Sequence, residues 1–216
     1  MTRCTSYCLE LCDGSCPAPK LYRTICADPP WRLVGNAKER SRPWASKGGR
    51  RGRDTFFPYA TQSLEWIEGL PVKSLADSRG AHLYLWVPAS FNREGLGVRV
   101  ARAWGFEVVS ELIWAKPGFG LGKFPRPQHE IVLVCRLGSL PFAVRDVGSV
   151  QRWSQTYARG NGGRVHSAKP EGLQDLAERA SPGPYLELFA RRGRLGWDAW
   201  GDEVLVTPGL EQALPQ

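Results

Sequence analysis

LYRTICADPPW, residues 21–31, is the stretch on which the fold turns. Residues 21–27 are short, apolar and rich in β-formers, and read as a buried strand. Pro29 and Pro30 stop that strand abruptly and fix the backbone after it, which sets the Asp28 carboxylate at the strand's carboxyl end. Working outward, HLYLWV (82–87), FEVVSELIWA (106–115), HEIVLVCR (129–136) and PYLELFA (184–190) read as further strands. Helices are expected over 61–69, with Thr61 as cap and Glu65 near capping-box distance, and over 88–104, with Phe91, Leu96, Val100 and Ala103 on one face. Another is expected over 170–180, where Pro170 suits the first turn. Near-continuous apolar strands alternating with helices predict an α/β fold, a mainly parallel sheet with helices on both faces. Ligands in such sheets bind at the carboxyl ends of the strands, and Asp28 and the segment after Phe189 both fall at such ends.

The chain has 216 residues, 42% hydrophobic and 23% charged, which suits one globular α/β domain with a full core. The division expected is a cysteine-containing tail over 1–20, a domain over 21–206 and a second tail over 207–216. No apolar run approaches the ~20 residues of a membrane span. The opening MTRCTSYCLELCDGSC has no apolar signal-peptide core, so a cytoplasmic protein with no membrane partner is expected. Cys26 and Cys135 sit in strand-like runs and read as buried small hydrophobes. Cys4, Cys8, Cys12 and Cys16 are spaced by four, which is not the C-x2-C of a zinc knuckle; free thiols are expected and no metal. No G-x-G-x-x-G follows a strand, Gly160–Gly163 lacks a phosphate-loop ending, and His166 reads as structural. His82 and His129 read as strand residues.

The formal charge is +8, and much of the excess lies in KERSRPWASKGGRRGR, residues 38–53. Such a run is either a solvated loop or a phosphate-contacting surface. Its start, seven residues after Trp31, favours the second reading and nominates Arg40, Arg42, Lys47, Arg50, Arg51 and Arg53 as nucleic-acid contacts. The whole stretch 32–60 is long, polar and rich in Gly and Arg, the composition of a functional loop or a disordered one.

Asp28-Pro29-Pro30-Trp31 taken alone is either a plain turn or a site built to hold an amine. The exocyclic N6 of adenine is a poor nucleophile because its lone pair is delocalised into the ring. The Asp28 carboxylate and the Pro29 carbonyl could accept both of its protons, favouring a pyramidal nitrogen, and Trp31 could stack on an extruded base.

The chain resembles the adenine-N6 methyltransferase family that includes the catalytic subunit of the eukaryotic mRNA methyltransferase and many bacterial and phage members. The resemblance runs from about Leu21 to Val204. It is carried in order by YRTICADPPW (22–31), LYLWVPAS (83–90), RAWGFEVVSELIWAKPGFGLG (102–122), QHEIVLVCRLG (128–138), VHSAKPEGLQDLAERASPGPYLELFARR (165–192) and GWDAWGDEV (196–204). It implies a Rossmann-like fold with the catalytic motif ahead of the cofactor motif, and S-adenosyl-L-methionine as cofactor. It also implies methylation of adenine N6 in nucleic acid, DNA being favoured over RNA for a chain of this compactness. Residue by residue, it implies a catalytic role for Asp28, Pro29, Pro30 and Trp31, and a cofactor site that draws on Cys26, Ala27 and Asp28. Lys169 is expected at the methionine carboxylate, Glu187 at the ribose, Phe189 and Arg191 in the loop after it, and Asp202 and Glu203 at the adenine end. The family usually carries an amide at those last positions. Without the resemblance, Glu187 would read as a strand-end charge facing solvent. Two other readings compete, a non-catalytic subunit and a small-molecule methyltransferase. The intact Asp28–Trp31 motif and Lys169 speak against the first, the basic run against the second.

Overall fold

The computed structural model describes residues 20–32, 61–119, 124–154 and 168–215. The N-terminal cysteines, His166, Gly160–Gly163 and all six basic residues nominated within 38–53 lie outside the described residues.

Among the described residues, seven strands form one sheet: β1 (Thr24–Ala27), β2 (Gly80–Val87), β3 (Glu107–Ala115), β4 (His129–Gly138), β5 (Val150–Gln151), β6 (Tyr185–Leu188) and β7 (Trp197–Trp200). Their order is β5-β3-β4-β2-β1-β6-β7. β1 pairs in parallel with β2 and with β6, as do β6 with β7 and β3 with β5. β4 alone runs against its neighbours β2 and β3. The sheet is thus Rossmann-like and mainly parallel. From β1 the chain goes to β2 on one side, whereas β6 closes the other side. Asp28 therefore leaves β1 at the point where strand order reverses, which is where open α/β sheets form a crevice.

Strand alternation divides the apolar residues between two faces. Ile25, Ala27, Leu83, Leu85, Val87, Leu133 and Leu186 face one core. It is covered by α1 (Leu64–Glu68), α2 (Val72–Leu75) and α4 (Leu96–Ala103) through Ile67, Val72 and Val100. Cys26, Tyr84, Trp86, Trp114 and Val132 face the other, covered by Leu173 and Ala177 of α5 (Gly172–Ala180). The two thiols of Cys26 and Cys135 are free and buried. His82 is fully buried and its pKa is pushed down by burial, so it sits neutral. Its Nε2 lies 2.9 Å from the Leu140 carbonyl and its Nδ1 2.7 Å from Ser181 Oγ. Nε2–H must therefore donate to the carbonyl, which leaves Nδ1 to accept from the hydroxyl. No helix among the described residues is long and apolar enough to cross a membrane.

Several boundaries differ from the sequence reading. The helix expected over 88–104 is two, α3 (Ala89–Arg93) and α4, because Gly95 takes a left-handed φ of 71° between them. Gly97 then lets α4 close onto β2, since a Cβ there would lie 2.7 Å from Val87 Cγ2. The cap of α1 is Ser63, not Thr61; its hydroxyl accepts the Trp66 N–H at 3.2 Å. β7 and α2 were not anticipated. The segment read as a tail from 207 is packed. Thr207 N–H donates to the Ala199 carbonyl, its hydroxyl accepts from Ala199 N–H, and α6 (Leu210–Ala213) brings buried Leu210 and Leu214 onto the first core.

Candidate active site

Asp28, Pro29 and Pro30 emerge from β1 as an extended turn. The Trp31 N–H donates to the Pro29 carbonyl at 2.8 Å, and the Gln62 N–H to the Pro30 carbonyl at 2.9 Å. The carbonyl expected to receive an amine proton is thus already occupied on one lone pair, and its second remains to accept. These bonds, with the two prolines, leave the turn little freedom.

A cavity of about 320 Å³ opens beside this turn. Asp28, Pro29, Pro30, Phe189, Arg191, Asp202 and Glu203, all nominated from sequence, line it. Its wall is aromatic: Phe189 meets Trp200 edge-on at 5.2 Å and Trp66 at 6.4 Å. Phe189 holds a left-handed φ of 62°, a conformation costly for a bulky residue and found where function demands it. Gly201 forms the close approach between the loops after β6 and β7. A Cβ there would fall 2.2 Å from the Ala190 carbonyl oxygen, so only glycine lets the two loops meet. Arg191 Nε lies 2.7 Å from Glu203 Oε1 and ties the same two loops. Gln62, Trp66, Trp200, Gly201, Val206 and Glu211 also line the cavity and were missed.

Five nominated residues, Cys26, Ala27, Trp31, Lys169 and Glu187, do not line it. Cys26 and Ala27 are buried in β1, one in each core, and do not line the cavity. Trp31 is only 5% exposed; its indole N–H donates to the Trp86 carbonyl at 3.0 Å and its ring packs on Phe91. An indole so enclosed braces the turn from below and has no open face for a base. Glu187 faces α5, where its Oε1 accepts from Gln174 Nε2 at 3.1 Å. Burial pushes its pKa up.

Lys169 stands behind Asp28. Its ammonium lies 2.9 Å from Asp28 Oδ2 and 3.1 Å from Glu130 Oε2. Lys116 pairs with the other oxygen of Glu130. Burial drives the Asp28 carboxyl above its usual range, opposed by Lys169. Burial acts to raise Glu130 as well, but Lys169 and Lys116 together hold it at about 2. Burial acts to lower the Lys169 ammonium, and the two carboxylates more than reverse it, so it stays protonated.

The MT-A70 profile matches residues 22–203. The chain belongs to the MT-A70 family. Among its relatives is the type II methyltransferase M.MunI of Mycoplasma sp, 32% identical over 194 residues, covering 86% of this chain and 78% of that protein. Another is the N(6)-adenine-specific methyltransferase METTL4 of Homo sapiens, 29% identical over 214 residues. That match covers 90% of this chain but 41% of METTL4, so the chain spans under half of that relative. The mouse METTL4 matches to the same extent. The MT-A70 profile begins at Tyr22, just ahead of β1, and ends at Glu203 on the cavity rim, so the matched span carries every cavity-lining residue nominated from sequence.

Proposed function

We propose that this MT-A70 chain transfers a methyl group from S-adenosyl-L-methionine to the N6 amine of adenine in nucleic acid, with DNA as the preferred substrate. The observation that carries the reading is the Asp28 carboxylate, held at the sheet's crevice on the rim of an aromatic and acidic cavity. The lining suits this cofactor. Asp28, Asp202, Glu203 and Glu211 complement a molecule bearing a sulfonium and an ammonium, and Trp66, Phe189 and Trp200 complement a purine. When bound, it supplies a methyl group already activated by positively charged sulfur.

The protein's share of the work is alignment. Asp28 and the Pro29 carbonyl accept the two N6 protons and turn the nitrogen lone pair toward the methyl group. The Asp28 carboxyl, whose proton affinity burial has raised, is placed to take the proton that N6 gives up once its new bond forms. Arg191, Asp202 and Glu203 would hold the cofactor's nucleoside end, and Lys169, which steadies Asp28 from behind, would be the cation for the cofactor's carboxylate. Glu187, bonded to Gln174 on the α5 side, lies outside this lining and is given no part in holding the cofactor. DNA is favoured over RNA by the similarity to a type II methyltransferase across most of its length.

Labelled methyl groups offered with DNA and RNA oligomers of equal sequence are expected to appear in DNA as N6-methyladenine after nucleoside digestion. Label confined to RNA would reverse the preference, and label in neither would refute the activity. The basic residues of 38–53 are proposed to grip the phosphate backbone, and Arg50, Arg51 and Arg53 changed together to Gln test it. The slope of log affinity against log salt is expected to fall by about one for each phosphate no longer neutralised, with KM raised and cofactor affinity unchanged. An unchanged slope would leave the run a solvated surface.

A further inference from the structure

Glu130 and Lys116 have no part in the proposed transfer step, yet both belong to the cluster behind Asp28. The cluster crosses the sheet at one end. Asp28 follows β1, Trp86 lies near the end of β2, Glu130 is the second residue of β4, Trp114 lies near the end of β3 with Lys116 just after it, and Lys169 precedes α5. Charges alternate along it: Asp28, Lys169, Glu130, Lys116. The two ammoniums stand over two indoles. Lys169 Nζ lies 5.5 Å from the Trp86 ring and Lys116 Nζ 5.0 Å from the Trp114 ring, and the rings themselves meet edge-on at 5.9 Å. Register sets Trp114 opposite Glu130, so the carboxylate is carried between the ammoniums by strand pairing. Lys169, Asp28 and Glu130 are 16%, 25% and 22% exposed, so bulk water screens these charges weakly.

We propose that Glu130 and Lys116 are positioning residues that draw Lys169 to one oxygen of Asp28 and so leave its other oxygen available to the target amine. The proposal rests on the adenine-N6 reading for the identity of that amine. A lysine answering to Asp28 alone could swing across both carboxylate oxygens and compete with the substrate's protons. Glu130 removes that freedom by holding the ammonium on the Oδ2 side. Unscreened, Glu130 would also disfavour the charge on Asp28, and Lys116 offsets it. The charged groups facing Asp28 are Lys169, Glu130, Arg191 and Glu187. Glu130 is paired through its other oxygen with Lys116, and Glu187 has Arg192 and Arg194 acting on it.

Carbon-13 carboxyl NMR on the full chain tests this without cofactor or substrate, the Asp28 signal being assigned by its loss in Asp28→Asn. Glu130→Gln removes a negative charge, so the Asp28 midpoint is expected to fall by about one pH unit. Lys116→Met removes a positive charge, so the midpoint is expected to rise, by less because the charge is further away. The acid limb of kcat/KM should move in the same two directions, with kcat lowered in both variants and KM for DNA little changed. A purely structural role would lower activity without opposed displacements. Midpoints that stay put, or move together, overturn the proposal. Glu130→Gln is isosteric and Lys116 is partly exposed, so either variant that keeps the wild-type near-ultraviolet spectrum decides by itself. Midpoints that move as described in a chain that transfers no methyl overturn the proposed activity and leave the charge chain standing.

Discussion

Asp28→Asn is expected to lower kcat about a thousandfold, the loss typical when a preorganised charge at the reacting centre is removed, while leaving the melting temperature at or above that of the parent. Both halves follow from one observation. Burial raises the Asp28 pKa against the pull of Lys169, so the folded state holds this carboxylate ionised at a cost. A group whose folded pKa lies above its unfolded value lowers stability at every pH where it is charged. The amide has nearly the same shape, removes that cost and leaves Lys169 paired with Glu130. It cannot carry the charge that draws protons from an amine, and its NH2 would compete with the substrate as a donor. Thermal unfolding beside steady-state kinetics checks the pair. Loss of activity together with a lowered melting temperature would make Asp28 a folding residue and remove the catalytic argument. Full activity would remove it outright. In the parent enzyme the same physics predicts that kcat/KM rises with pH through a midpoint above the ordinary aspartate value, a limb absent from any residual activity of Asp28→Asn.

What the sequence made legible was whatever lay in one continuous run. β1 and its stop could be read because apolar residues meet two prolines within eleven positions. β2 could be read because all eight of its residues are buried and nearly all are apolar. β7 could not, since Trp197–Trp200 is four residues long, carries Asp198 and shows no run at all. The break at Gly95 was hidden because the apolar spacing of 88–104 continues through it, and only the left-handed φ interrupts the helix. The packed C-terminus was hidden by its composition. Pro208, Gly209 and Pro215 signal a loop, while the burial comes from Leu210 and Leu214, a single i, i+4 pair too short to mark a helix among those breakers. The site divides along the same line. Asp28, Pro29, Pro30, Phe189 and Arg191 are contiguous with strand ends, and all five line the cavity. Trp31 was misplaced because an aromatic in a motif suggests stacking, whereas an indole N–H with a carbonyl in reach is satisfied by burial. Glu130 gave no local signal. Its meaning lies in Lys116 and Lys169, fourteen residues before it and thirty-nine after, brought together only by the sheet.

Lys169→Met carries the largest expected cost in stability, about 3 kcal/mol, because it deletes the one cation shared by two partly buried carboxylates and leaves both. Methionine fills the volume and keeps the contact with Trp86, so a packing defect contributes little. The pH dependence separates the electrostatic cause from any other. In the parent, Glu130 is held at about 2, below its unfolded value, so its contribution is complete above the ordinary glutamate range and fades as pH falls through that range toward 2. Without Lys169, Asp28 loses the charge opposing its desolvation, and its pKa climbs further above the unfolded value. The folded variant then binds more protons than the unfolded chain across mildly acidic pH, so its stability rises as pH falls there. The gap in melting temperature between parent and Lys169→Met is therefore expected to be widest near pH 8 and to narrow steadily toward pH 5.5. A gap independent of pH would assign the loss to packing and break the link between Lys169 and the charge on Asp28. Cofactor affinity, measured by calorimetry at both pH values, supplies the second reading. If Lys169 also reaches the cofactor's carboxylate, affinity stays low at pH 5.5 even where stability has recovered, because protonating Asp28 restores the fold without restoring the missing cation.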